Sequence, residues 1–208
     1  MRFLRFGFLA AAIVLGVPGW ATSGPDGGSG NATDDANVNS RYTVESIDVA
    51  ASPAAVWDSI VHMGPIPDAP AAPFRWGLAY PLRGEIHGAG IGAIRVGVFS
   101  TGVAYERVTE WAPGRKLSFI VLSDPPSMHE LSPYAHVNAP HVRGYFRTRD
   151  ARFTITPLAN GRTRLTLATH HDLDLEPALY WLPMAQWAVH ANKVRVLRHF
   201  RDQAERHP

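Results

Sequence analysis

Residues 163–200 read TRLTLATHHDLDLEPALYWLPMAQWAVHANKVRVLRHF, and along them the apolar period changes from two residues to between three and four. Leu165, Leu167, Thr169, His171, Leu173 and Leu175 share one face of an extended chain, whereas Arg164, Thr166, His170, Asp172, Asp174 and Glu176 share the other. That alternation predicts a half-buried strand with His171 inward and His170 outward. Beyond Pro177 the recurring residues are Tyr180, Met184, Trp187, His190 with Ala191, Val194, Leu197 and Phe200, the stripe of an amphipathic helix. With Pro183 marking the start of its regular part, the helix is expected over 183–206, roughly 36 Å at about 1.5 Å per residue. It is long enough to lie across a whole sheet.

Upstream, the chain supplies such a sheet. YTVESIDVA (42–50) alternates Ile47 and Val49 with polar residues, and Ser52-Pro53 then forms an N-cap and first-turn pair for a short helix carrying Val56, Trp57 and Ile60. Pro65, Pro67, Pro70 and Pro73 keep the next stretch from holding a long helix. Strand signals return at RGEI, GAIRVGVF, VAYERVTEW and KLSFIVL, with Ala112-Pro113-Gly114-Arg115 as a hairpin turn. Residues 123–140 are too long for an idle connection, and Met128, Leu131, Tyr134 and Val137 argue for a packed lid. Two more strands, VRGYF through RFTITPL and RTRLTLATHHDLDLE, meet at the Ala159-Asn160-Gly161 turn.

The 208 residues are 46% hydrophobic and 18% charged, which fits one globular domain. With no cysteine, disulfides, thiolate metal sites and a cysteine nucleophile are excluded. The N-terminus, MRFLRFGFLAAAIVLGV, joins two arginines to a short apolar run ahead of Pro18-Gly19 and the small residues Ala21-Thr22-Ser23, so 1–23 is expected to be a secretory signal peptide or, if uncleaved, an N-terminal anchor. A periplasmic or secreted location follows, membrane-anchored if uncleaved, with membrane contact only through that segment. Removal of Arg2 and Arg5 leaves 18 basic against 18 acidic residues, and nothing suggests a nucleic-acid partner. Residues 24–40 hold almost no large apolar side chain and are expected to be a flexible linker to a domain over 41–208.

The order of these elements resembles the helix-grip fold of the START-like, or polyketide cyclase/dehydrase and lipid-transport (SRPBCC), superfamily. ASPAAVWDSI looks like its strand-to-helix entry, GIGAIRVGVF and YERVTEWAPGRKLSF like its central hairpins, and GRTRLTLATHHDLDLEPALYW like its last strand. HELSPYAHVNAPHVRGYF and HANKVRVLRHFRDQAE are similar to a bacterial subgroup with histidines in the lid and final helix. The resemblance covers roughly 42–206 and departs from the family at His170 and His171, where bulky aromatics are the expectation. It implies an α+β fold, a curved antiparallel sheet wrapped around a long C-terminal helix, with an apolar cavity between them for a hydrophobic small molecule or lipid. No activity follows from the fold, since the superfamily contains carriers, cyclases and dehydratases.

Three functions remain open on this reading. The first is an exported binding protein for a hydrophobic or amphipathic small molecule; the second is a cyclase or dehydratase in which His171, His190 or Tyr145 moves protons; the third is an envelope interaction module with its cavity closed. The expected ligand-binding residues are Trp57, Tyr105, Phe119, His141, Tyr145, His171, Tyr180, Met184, Trp187 and His190. The aromatics among them equally suit a core, and His171 equally suits a core histidine with one hydrogen bond. On VAYERVTEW, Tyr105 and Arg107 share one face and Glu106 and Val108 the other, so its inward charged residue is a further polar candidate. No cofactor or metal is expected: adjacent strand histidines diverge, and His136, His141, His171 and His190 lack HxH or HExxH spacing. Nucleophile elbows, phosphate loops and paired-carboxylate motifs are absent from the sequence.

Overall fold

A computed structural model describes residues 39–67, 72–75, 77–129, 145–175 and 177–207. In chain order these form β1 (Asn39–Val49), α1 (Pro53–Val61), α2 (Ala72–Arg75), β2 (Pro81–His87), β3 (Ile94–Phe99), β4 (Gly102–Ala112), β5 (Lys116–Ser123), β6 (Phe146–Pro157), β7 (Thr163–Leu173) and α3 (Ala178–Arg206). The strands make one seven-stranded antiparallel sheet in the order β1-β7-β6-β5-β4-β3-β2, so the first strand closes onto the last and β1 and β2 are the edges.

Local chemistry explains the joints. The Ser52 side chain accepts a hydrogen bond from the Ala55 N–H at 3.2 Å, which caps α1, and Pro53 occupies its first turn. The β6–β7 turn places Asn160 at φ 60° and Gly161 at φ 70°, a left-handed pair that asparagine and glycine tolerate best. A register shift between Thr148 and Asp150 keeps Phe146 and Thr148 on the same face as Ala151 and Phe153.

The helix differs from the sequence expectation at its start. It begins at Ala178 and runs unbroken for 29 residues through Pro183. A proline opposes the carbonyl four residues back, here that of Leu179, whose residue is 93% exposed, so that carbonyl can tilt toward water.

The apolar core gathers Val56 and Ile60 of α1, Leu197, Phe200 and Ala204 of α3, and Val49, Val108, Leu117, Phe119, Phe153, Ile155, Leu165 and Leu167 of the sheet. Phe200 is fully buried and meets the Phe153 ring edge-on at 5.5 Å. On α3 the fully packed core positions begin at Leu197. The C-terminal part of the helix therefore grips one end of the concave face, and the other end carries a different set of side chains. Among the described residues no helix is long and apolar enough to cross a membrane.

Candidate functional site

At that other end the inward positions of β1 and β7 include the polar residues Thr43, Thr169 and His171. Lys193 of α3 is 5% exposed, and its Nζ donates to Thr43 Oγ1 at 2.8 Å. Thr43 Oγ1 is 3.1 Å from Thr169 Oγ1, its register partner across β1 and β7. Thr169 Oγ1 in turn lies 2.7 Å from His171 Nε2. His171 is 6% exposed, and its ring centroid is 5.0 Å from that of Phe146. Its other nitrogen, Nδ1, is buried with no hydrogen-bond partner among the described residues. A continuous polar chain thus leads from a buried ammonium to a buried imidazole.

Burial dominates the ionisation of this group. It pushes the His171 imidazole down to about 4, helped by the nearby Lys193 and His170 charges and opposed by Asp172, so the ring is neutral at pH 7. It pushes Lys193 down to about 8, with the Glu45 carboxylate acting the other way. Next to them, Asp124 is raised to about 6 by burial, against the hydrogen bond that its Oδ2 accepts from the Thr148 N–H at 3.2 Å. Thr148 is the register partner of His171 on β6, so Asp124 borders the same end of the sheet. Further along, Arg95 of β3 and Glu106 of β4 form a buried ion pair, with the Arg95 guanidinium 5.0 Å from the Phe119 ring centroid.

The expected site residues fall in several places. His171 is inside and His170 is on the outer face, where its Nε2 meets Ser40 Oγ at 2.5 Å. Phe119 is buried in the core against Phe153, and Trp57 meets Trp111 edge-on at 5.2 Å on the α1 flank. Tyr105 points outward and is half exposed, so the inward charge on β4 is Glu106. Tyr145 is partly exposed, and its carbonyl accepts from the Asp174 N–H at 2.9 Å. His190 is exposed and pairs with Glu45 Oε1 through Nδ1 at 2.7 Å. His141 and His136, with the bulk of the expected lid, lie outside the described residues.

The first half of α3 differs most from the sequence reading. Tyr180, Met184 and Trp187 are exposed rather than facing the leucine side of β7, although Trp187 also stacks on Phe74 at 5.9 Å. The buried stripe is instead Lys193, Leu197, Phe200 and Ala204, spaced alternately by four and three. Met184, Trp187 and His190 recur by threes, and each such step falls about 60° short of a full turn, so the row winds away from the packed side. Lys193, Thr43 and Glu45 were absent from the expected set. Lys193 was findable, because it stands four residues before Leu197 and seven before Phe200 on one helix face. Thr43 and Glu45 share the inward parity of Ile47 and Val49.

One groove lies apart from these groups. It holds about 350 Å³ between α1 and the end of α3, and is lined by Asp58, Ser59, His62, Gln203 and His207 among others.

No family model and no curated protein sequence matches the chain. Solved structures do. The chain is similar to the Zhui aromatase/cyclase of a Streptomyces species at 16% identity and TM-score 0.51, over 81% of this chain and 95% of that one. A Mesorhizobium loti protein aligns at 15% identity and TM-score 0.48, over 81% and 99% of the two chains. Norcoclaurine synthase of Thalictrum flavum aligns at 11% and 0.45, over 80% and 96%. The sheet order, the gripping helix and the likeness to the cyclase agree: the chain adopts the helix-grip fold, a curved seven-stranded antiparallel sheet around a long C-terminal helix.

Proposed function

We propose that the protein binds a hydrophobic or amphipathic small molecule, a lipid among the candidates, over the polar end of its concave face. One observation carries this reading: among the described residues the apolar core lies under Leu197, Phe200 and Ala204, while the other end buries Lys193, Thr169 and His171 beside Phe146 and Leu173. Buried polar atoms normally have partners, and His171 Nδ1 has none among the described residues. A mostly apolar wall with a few placed polar groups is the usual make-up of a small-molecule site. The arginine-flanked leader supports export to the periplasm or beyond as the setting of this binding.

The neutral imidazole hydrogen-bonded through two hydroxyls to a lysine favours a second reading, in which His171 moves a proton on the bound molecule as cyclases and dehydratases require. Titration with N-phenyl-1-naphthylamine tests the binding reading. Saturable fluorescence is expected in the parent chain and its loss in Thr148→Trp, which sets an indole beside His171 at its register partner on β6. Equal saturable binding by that variant would move the site elsewhere, and the α1–α3 groove would be examined next.

A further inference from the structure

We infer that His171 is held as the tautomer protonated on Nδ1, and that the molecule bound here presents a carbonyl-type hydrogen-bond acceptor to that N–H. The inference deepens the binding function proposed above and rests on it. It follows from the direction in which the chain of hydrogen bonds must run. An ammonium has only donors, so Lys193 donates to Thr43 Oγ1. Each threonine hydroxyl has one hydrogen to give. If Thr43 gives its hydrogen to Thr169, and Thr169 gives its own to His171, every hydroxyl hydrogen in the chain is used and Nε2 accepts. In the opposite direction Thr169 donates to Thr43, and the Thr43 hydrogen is left without an acceptor among the described residues. The first direction leaves one group unmatched, the Nδ1 hydrogen, whereas the second leaves two, the Thr43 hydrogen and the Nδ1 lone pair, so the first is the more stable one.

The consequence falls on the other side of the ring. A neutral imidazole that accepts at Nε2 carries its hydrogen on Nδ1. The depressed ionisation of His171 keeps the ring neutral, and Lys193 remains charged at neutral pH. Nδ1 is buried and unmatched, while the Phe146 ring lies 5.0 Å from the imidazole centroid. A planar or ring-bearing body against Phe146 with an oxygen acceptor at Nδ1 meets both features. An aryl ketone is the simplest compound of that class. A pure hydrocarbon leaves the N–H unmatched, and a ligand offering only a donor opposes it.

Fluorenone and fluorene share one tricyclic skeleton and differ by a carbonyl against a methylene. Fluorenone is expected to bind about tenfold more tightly, the size of one net hydrogen bond. Its carbonyl stretch is expected to shift to lower frequency on binding, and both differences are expected to vanish in His171→Leu. Equal affinities, or a preference that survives His171→Leu, would overturn the inference while leaving the binding function in place. If neither compound binds, both fall together. Long-range 1H–15N NMR of the unliganded parent protein reads the tautomer without any ligand: a protonated Nδ1 is expected, and its signal pattern is expected to change in Lys193→Met, which removes the donor that sets the direction. A protonated Nε2 in the parent would overturn the inference outright.

Discussion

Lys193 Nζ of the long helix lies 2.8 Å from Thr43 Oγ1 on the first strand, so a buried cation is held by a neutral hydroxyl while the carboxylate of Glu45 pairs with His190. Desolvation lowers Lys193 to about 8 from an ordinary 10.5, so between these values the unfolded chain binds more protons than the folded one. Stability therefore rises with pH across that window. Lys193→Met is expected to remove the rise, worth on the order of 1–3 kcal/mol, and to leave the variant at least as stable as the parent at pH 7. Denaturant titrations at pH 7 and pH 10 measure it, and a parent chain whose stability falls from pH 8 to 10 while the variant's does not would contradict this placement of the lysine.

His171 acts in the opposite part of the scale. Its folded value is about 4 against 6.5, so the stability it contributes is fully present above 6.5 and is lost as pH falls through 4. His171→Leu is expected to recover on the order of 2–3 kcal/mol of the acid loss between pH 6.5 and 4. Asp124, raised to about 6, contributes stability below its ordinary 3.8 that is lost as pH rises through 6, so it partly masks the histidine in the parent. The difference between parent and variant melts at pH 7 and pH 4.5 removes that background.

The Arg95–Glu106 pair is buried on both sides. Glu106→Leu is expected to cost about 3–5 kcal/mol, because it leaves the guanidinium uncompensated, whereas Arg95→Met together with Glu106→Leu is expected to cost far less or nothing. A double-mutant cycle by urea denaturation measures the coupling, and additive single losses would show that the two charges do not act as a pair.

Two arginine substitutions on the same helix distinguish its faces. Leu197→Arg buries an unpaired charge in the core and is expected to unfold the protein, while Met184→Arg, at a half-exposed position, is expected to change stability by no more than about 0.5 kcal/mol. Thermal melts of both variants read the contrast. A strong loss at Met184 would mean that the first half of the helix packs inward after all.

The sequence made the strand-to-helix switch, the sheet and the inward parity of His171 legible, because alternation between Leu165 and Leu173 is strict and a one-residue slip would expose every leucine. The N-terminal half of α3 was less legible. Its apolar residues recur by threes, a spacing close enough to the helical period to read as one stripe but not close enough to stay on one face. Which face of β4 turned inward was beyond reach for a different reason. Tyr105 with Arg107 and Glu106 with Val108 are equally mixed pairs, and only the cross-strand partner Arg95 decides that Glu106 is buried. The hydrogen-bonded chain joining Lys193 to His171 spans three elements, and such contacts leave no local pattern in the residues that make them.

Native mass spectrometry of the protein purified gently from its own host tests the central claim most directly. The account predicts a one-to-one complex that releases a small molecule with an apolar body on unfolding, and a loss of that complex in Thr148→Trp. The bare polypeptide mass alone, from a parent chain that also fails to bind N-phenyl-1-naphthylamine saturably, would contradict it.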